Sequence, residues 1–303
     1  MGAWGTSLYS NDFAADLRSL ISAVARLPYD GDRLAEIICS TERSASEDPS
    51  DEYHTIFWLV LADQFEKKGI ASARVCAKAI SIIYSESDTA VMASLGMKPA
   101  ALRKREATLA ELWDRISAAP TVSSPRATLK APDPYVMDPG GVYSFPTLED
   151  AAINPYMPKR LFDRSAWNPD GFGLMVPVER GRAFDFLAWY RMLVIEDALP
   201  TIPSLEKILS DFRWNLADPG TCSASHFKKI EIKKVSLVEI DPVKLEHTFP
   251  KRAPGTSQAV QGISIVNGMD LRRLIRLKGR PPFPRNQGPF QWPTMNGLGM
   301  IVK

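Results

Sequence analysis

The chain has 303 residues, of which 45% are hydrophobic and 24% charged. This composition is that of a globular protein and excludes an intrinsically disordered chain, and the length favours two domains over one. Residues 1–120 hold 13 Lys+Arg and 17 Asp+Glu, a net charge of −4. Residues 121–303 hold the other 24 Lys+Arg and 18 Asp+Glu, a net charge of +6, so the whole chain has a net charge of +2. We expect either that the acidic and basic parts dock on each other or that the basic part binds an acidic partner.

Three features of the sequence bear on its location. The cysteines Cys39, Cys76 and Cys222 are odd in number and form no CxxC pair, which is typical of a reducing cytoplasm. The first 20 residues lack the basic start and continuous apolar core of a signal peptide. The longest apolar run, 56–62, has seven residues and is too short to span a bilayer. We therefore expect a cytoplasmic protein without membrane contact.

The first 118 residues are predicted to form a helical bundle. An apolar stripe at helical spacing begins at Phe13, and Ser10 and Asn11 before it are good N-cap residues. Asp12 and Asp16 then lie near the positive end of the helix dipole. Five further helices are predicted at 32–40, 51–68, 72–84, 87–95 and 99–116. Six helices in a segment of this length are typical of a bundle.

The stretch before the first helix has an unusual composition. Gly2-Ala3-Trp4-Gly5 predicts a tight turn that folds the indole over that helix, because glycine permits positive φ. Together with Asn11-Asp12, Ala14 or Ala15, and Asp16, it resembles the opening of an uncharacterised, mainly bacterial family of domains of unknown function. Ser7 stands near where that family often has glycine. The resemblance covers roughly the first third of the chain and implies a compact helical unit. The family carries no assigned activity, so the resemblance implies no functional residues.

Residues 119–141 are rich in proline and are predicted to be a linker between a helical domain, 1–118, and a strand-rich domain, 142–303. Beyond the linker the pattern changes to short β-branched and aromatic runs. Strands are predicted at 142–145, 172–179, 183–195, 227–240 and 259–266, with turns at 179–181 and 267–268 and a helix at 204–214. Within 183–195, the run 184–190 also fits a buried helix, because its length does not separate the two. The expected fold class is α+β, with a mainly antiparallel, partly closed sheet and one or two helices in the second domain.

Few residues are candidates for catalysis. Cys222, His226 and His247 are weak candidates for a thiol nucleophile with an imidazole base. Asp12 and Asp16, one helical turn apart, are weak candidates for an acid–base or metal pair, although capping of the first helix also explains them. The sequence contains neither GxxxxGK[ST] nor GxGxxG, and no cofactor or bound metal is expected.

One surface candidate lies near the end of the chain. Residues 271–303 contain seven basic residues and no acidic one, and Pro- and Gly-rich sequence with spaced aromatic rings follows the basic stretch 271–285. Such a pattern could bind nucleic acid, a partner protein or the acidic helical domain, and the prolines favour an extended strap packed on a surface. The candidate binding residues are Arg272, Arg273, Arg276, Lys278, Arg280 and Trp292.

The scarcity of catalytic motifs, the two compact modules and the uneven charge together predict a non-catalytic, cytoplasmic protein-binding module. A role in bacterial immunity to toxins or in defence against phage is one hypothesis for it. The alternatives are an enzyme that uses the Cys/His or paired-Asp site and a nucleic-acid-binding protein that uses residues 271–285.

Overall fold

The structure is a computed structural model, and it describes residues 5–118, 126–148, 151–152, 168–217, 219–250 and 294–303. The chain divides into two compact units, Met1–Ala131 and Pro132–Lys303, and the division lies within the proline-rich segment. The first unit is helical and the second rich in strands, so the predicted α+β class is confirmed. The predicted turn at 2–5, apart from Gly5, and the predicted hairpin at 259–268 lie outside the described residues.

The described part of the first unit contains seven α-helices. They are α1 Asp12–Val24, α2 Gly31–Thr41, α3 Arg43–Glu47, α4 His54–Lys67, α5 Ala73–Tyr84, α6 Ser87–Ser94 and α7 Pro99–Ser117. Six of them are the predicted helices with slightly different ends. The sequence did not indicate α3, because five residues are too few to show a periodic apolar stripe.

Side-chain caps fix the starts of several helices. Asn11 is the N-cap of α1, and its Oδ1 accepts the N–H of Ala14 at 2.7 Å. Asp30 caps α2 in the same way, and Ser72 caps α5. Each cap satisfies a backbone donor that has no partner inside its helix. The polar cluster at the start of the chain is therefore a helix start, as its sequence indicates.

Helix α4 is the centre of the first unit. Every residue from His54 to Phe65 is buried, and the helix packs against α1, α3, α5 and α7. A helix that is covered on all sides is typical of a core element. It carries Asp63 and Gln64 into the interior, where polar groups need partners.

The second unit is built on one antiparallel sheet. Its strands are β1 Gly141–Leu148, β2 Ala151–Ala152, β3 Gly171–Ala183, β4 Leu187–Ile195, β5 Arg213–Leu216, β6 Gly220–Thr221, β7 Lys233–Leu237 and β8 Thr294–Asn296. The order is β2-β1-β3-β4-β5-β8, with β7 also next to β1 and β6 next to β4. The sheet is not closed, although an isolated bridge between Ile240 and Val302 joins the segments that follow β7 and β8.

Both faces of this sheet are covered. Tyr143 and Met175 belong to the core cluster on one face, and their neighbours Val142 and Leu174 belong to the cluster on the other. This alternation follows from the two-residue period of a strand. Short helices complete the unit, at α8 Leu205–Ser210, α9 Ala224–Lys229, α10 Pro242–Thr248 and a 3-10 helix at Leu298–Ile301. The described part thus has three α-helices, where the sequence predicted one or two.

The turn between β3 and β4 is not at 179–181, as predicted. It lies after Ala183, where Phe184 and Asp185 have φ of 50° and 61°, values typical of the central pair of a type I′ turn. The turn was predicted at Gly181 because glycine is typical of turns. Gly181 lies inside β3, where a Cβ would come within 2.6 Å of the Trp189 indole, so glycine makes room for that ring.

Two further predictions for the second unit are partly wrong. The strand predicted at 227–240 begins as helix α9, and only Lys233–Leu237 forms β7. The helix predicted at 204–214 ends at Ser210, and Arg213 begins β5.

Candidate functional site

A cluster of ionisable side chains surrounds Asp63 in the first unit. The Asp63 side chain is 2% exposed. Its Oδ2 accepts hydrogen bonds from the Tyr9 hydroxyl and, at 2.8 Å, from Lys67 Nζ. Its Oδ1 accepts a hydrogen bond from the Arg115 guanidinium at 2.6 Å. Both oxygens of a buried carboxylate are thus paired, and the cluster joins the loop before α1 to α4 and α7.

Tyr9 is held from several sides. Its hydroxyl donates to Asp63 and accepts a hydrogen bond from Gln64 Nε2 at 2.5 Å. Arg18 Cζ and Lys67 Nζ lie 5.3 and 5.5 Å from its ring centroid, which is within cation–π range. Burial and the hydrogen bond to Asp63 raise the pKa of Tyr9 well above its usual value. The hydroxyl therefore stays protonated and remains a donor to Asp63.

The pKa of the Asp63 carboxyl is lowered from its usual value. Burial alone would raise it, but the hydrogen bonds from Lys67, Tyr9 and Arg115 together outweigh burial. Asp63 is therefore ionised at neutral pH. It acts as a fixed anion that orders its neighbours, and it is not a proton donor there.

A cavity of about 530 Å³ lies beside this cluster. Its walls come from the loop before α1, the C-terminal end of α4 and the second half of α7. The lining includes Tyr9, Asp63, Lys67 and Arg115 of the cluster, together with Ser7, Leu8, Thr108, Glu111 and Asp114. A volume of this size falls in the range of roughly 300–1,000 Å³ that is usual for ligand pockets.

The charges that line the cavity are not balanced. Lys67 and Arg115 are both paired with Asp63, and Arg115 also approaches Glu66 at 3.5 Å. Glu111 and Asp114 are exposed on α7, and neither forms an ion pair with any residue that the structure describes. They lie three positions apart, so they share one side of the helix. The charge that remains available in the cavity is therefore negative.

Cys222 and His247, two of the residues predicted as a thiol site, differ in burial. Cys222 is 2% exposed in the core of the second unit, and its Sγ contacts the Ser223 carbonyl oxygen at 3.7 Å. Burial raises the pKa of this thiol to about 12. His247 is exposed on α10, and His226 belongs to α9. A buried thiol with a raised pKa is poorly suited to nucleophilic attack, because the thiolate is the reactive form.

The two predicted aspartates lie on the surface of α1. Asp12 and Asp16 are both exposed, and burial together with the nearby charge of Asp16 raises the pKa of Glu42. Within the described ranges, no three His, Cys, Asp or Glu side chains lie close enough to hold a metal ion. The basic candidates, with Trp292, lie outside the described residues: Arg272, Arg273, Arg276, Lys278 and Arg280.

The sequence alone did not indicate the cluster around Asp63. Tyr9 and Asp63 are 54 positions apart, and Arg115 is 52 positions from Asp63. The one available signal is that Asp63 and Gln64 interrupt the apolar sequence of α4. Two adjacent polar residues in a helix buried on all sides must find partners from other elements.

No protein-family model, curated protein or solved structure matches the chain. The resemblance of its opening to a family of unknown function therefore stays a prediction. In the part of the chain that the structure describes, no helix is long and apolar enough to cross a membrane.

Proposed function

We propose that this chain is a non-catalytic protein-binding module, and that the cavity beside Asp63 holds a basic side chain of the partner. The observation that carries the proposal is the pair Glu111 and Asp114, which line the cavity without an ion pair to a described residue. A guanidinium or ammonium group placed between them would form charge-assisted hydrogen bonds. Tyr9 and Thr108 add a ring and a hydroxyl to the same lining.

The positive charges of Lys67 and Arg115 are already directed at Asp63. Lys67 and Arg115 both donate to Asp63, whose side chain is 2% exposed. Moving either cation away from Asp63 toward an anion would take one of its hydrogen-bond partners from a buried carboxylate, which is destabilising. The cluster therefore fixes one wall and leaves the acidic wall to select the ligand.

The protonation states of the cluster support binding and not catalysis. The pKa of Asp63 is lowered and the pKa of Tyr9 is raised, so neither group changes its charge near neutral pH. A general acid or base works best when its pKa lies near the working pH. A location in the cytoplasm and a role in immunity or phage defence stay predictions, which the neighbouring genes would test.

The proposal is tested by titrating the ¹⁵N-labelled full chain with the peptide N-acetyl-Gly-Arg-Gly-amide and recording amide shifts. We expect saturable shifts near Tyr9, Thr108 and Glu111, and none with the corresponding Glu peptide. The double variant Glu111→Gln/Asp114→Asn should weaken binding roughly tenfold or more. Glu106→Gln, an exposed change on the same helix away from the cavity lining, is the matched control.

Two results would contradict this assignment. One is equal binding of the Arg and Glu peptides, which would mean that the cavity does not select positive charge. The other is unchanged binding in the double variant while its amide spectrum shows an intact fold.

A further inference from the structure

Strand β7 has one side that no described residue covers. It pairs with β1 through contacts such as Gly141 opposite Leu237. The N–H of Val238 donates to the Gly140 carbonyl at 2.9 Å, so the Val238 backbone points toward β1. Because successive residues of a strand point their backbone groups to opposite sides, the N–H and C=O of Leu237 point away from β1.

This outer side already takes part in antiparallel pairing a little further along. The carbonyl of Glu239, which points the same way as Leu237, accepts the N–H of Lys303 at 3.0 Å. The N–H of Asp241 donates to the Ile301 carbonyl at 2.8 Å. A neighbouring strand is therefore compatible with this side, and the described residues provide none along Lys233–Leu237. Five residues correspond to about 17 Å of strand.

The side chains along this edge are basic. Lys233 and Lys234 lie on β7, and Lys228 lies in the helix just before it. All three are exposed, and none forms an ion pair with a described residue. Leu237, at the end of the strand, is 60% exposed and offers an apolar contact.

Lysines on an edge strand also prevent association between identical copies of a chain, because two lysine edges repel each other. That effect does not act against a strand of opposite charge. Carboxylates placed across from Lys233 and Lys234 would form opposite-charge cross-strand pairs, which stabilise a sheet. The same lysines therefore disfavour edge-to-edge pairing with a second copy of this chain and favour pairing with an acidic strand.

We propose that the outer side of β7 binds an extended acidic segment of a partner protein as an added antiparallel strand. Backbone hydrogen bonds to residues such as Leu237 supply the affinity, and the lysines supply the preference for acidic sequence. This surface lies in the second unit and does not depend on the cavity beside Asp63.

The test uses fluorescence anisotropy with the full chain and a labelled nonapeptide that has two adjacent Glu residues at its centre and Val or Thr elsewhere, because Lys233 and Lys234 point to opposite faces of the strand. A second peptide of equal charge has proline in place of every Val and Thr, which removes N–H groups on both edges of the peptide. We expect the first peptide to bind, more weakly as salt rises, and the proline peptide to bind roughly tenfold or more weakly. Equal binding of the two peptides would overturn the proposal, because it would reduce the interaction to charge attraction.

Variants of the protein test the same contact from the other side. Lys233→Gln/Lys234→Gln should weaken binding roughly tenfold, whereas Lys207→Gln, an exposed change on α8, should not. Leu237→Pro removes an outward N–H without removing a hydrogen bond to β1, and Leu237→Ala is its control. Circular dichroism checks that each variant is folded.

If Leu237→Pro does not fold, the proline peptide provides the same backbone test with the unaltered chain. Unchanged affinity in the folded lysine variant would overturn the proposal. The absence of binding at low salt and at the highest attainable concentration of the chain would also overturn it.

Discussion

The ion pair between Asp88 and Arg105 allows a sharp test of what stabilises the helical unit. Their side chains are 0% and 1% exposed. Arg105 Nε donates to Oδ2 at 2.8 Å and its terminal nitrogen donates to Oδ1 at 3.0 Å. The Thr55 hydroxyl also donates to Oδ1, at 3.3 Å. One buried carboxylate thus connects α4, α6 and α7.

Replacement of Arg105 by Met keeps most of the apolar length of the side chain but leaves Asp88 charged and unpaired in the interior. Loss of one partner of a buried ion pair costs about 3–5 kcal/mol. That is a large fraction of a domain stability of roughly 5–15 kcal/mol. The double variant Asp88→Leu/Arg105→Met removes both charges. We expect it to recover most of the loss, since apolar replacement of a whole pair is often neutral.

The assay is urea unfolding at pH 7, followed by circular dichroism at 222 nm, where the helices dominate the signal. Arg103→Met, an exposed change on the same helix, is the control and should stay within about 0.5 kcal/mol of the parent chain. The reasoning fails if Arg105→Met costs less than about 1 kcal/mol, or if the double variant is as unstable as the single one.

Two further predictions concern single ionisable groups. The pKa of Asp63 is lowered in the folded state, so its stabilisation is present above the unfolded pKa, about 4, and is lost as pH falls through the folded value. Asp63→Asn should therefore lower the free energy of unfolding, measured in urea, by about 2 kcal/mol at pH 7 and by less below about pH 4. The control Glu66→Gln should change this free energy little. A difference that does not depend on pH would contradict the prediction. The second prediction concerns Cys222, the one cysteine left in the variant Cys39→Ser/Cys76→Ser. At pH 8 its thiol should react with a disulfide reagent about 10³-fold more slowly in the native than in the denatured chain, because burial raises its pKa to about 12. Native and denatured rates within about tenfold of each other would show an accessible thiol.

The helices of the first unit could be predicted because their signals are local. The side chain of Asn11 reaches a backbone group three residues away, and Ser72 caps its helix in the same manner. A Pro at the first helical position and a Gly after the last are equally local, as at Pro99 and Gly69. Such signals do not depend on what the helix later packs against, so they are visible in the sequence.

The segment 227–240 shows where local pattern misleads. Ile230 and Ile232 are two positions apart, which indicates one face of a strand. In the structure both are buried in the same core cluster, as a strand would have them, but Glu231 between them has φ of 62°. Glu231 lies in the turn between α9 and β7, and its left-handed backbone changes the direction of the chain there. Period-two spacing therefore also arises at a turn that presents both flanking side chains to one core.

The candidate site depends even less on local pattern. Cysteine and histidine stand out in a sequence because they are rare and reactive, yet burial raises the pKa of the Cys222 thiol to about 12, which disfavours the reactive thiolate. Asp63 and Glu111 belong to common residue types, and what distinguishes them is whether the fold supplies a counter-charge. Asp63 is buried and receives three donors, whereas Glu111 lines the same cavity without an ion pair to a described residue. Since that difference arises only when α4, α7 and the loop before α1 pack together, it is a property of the tertiary structure and not of any segment of sequence.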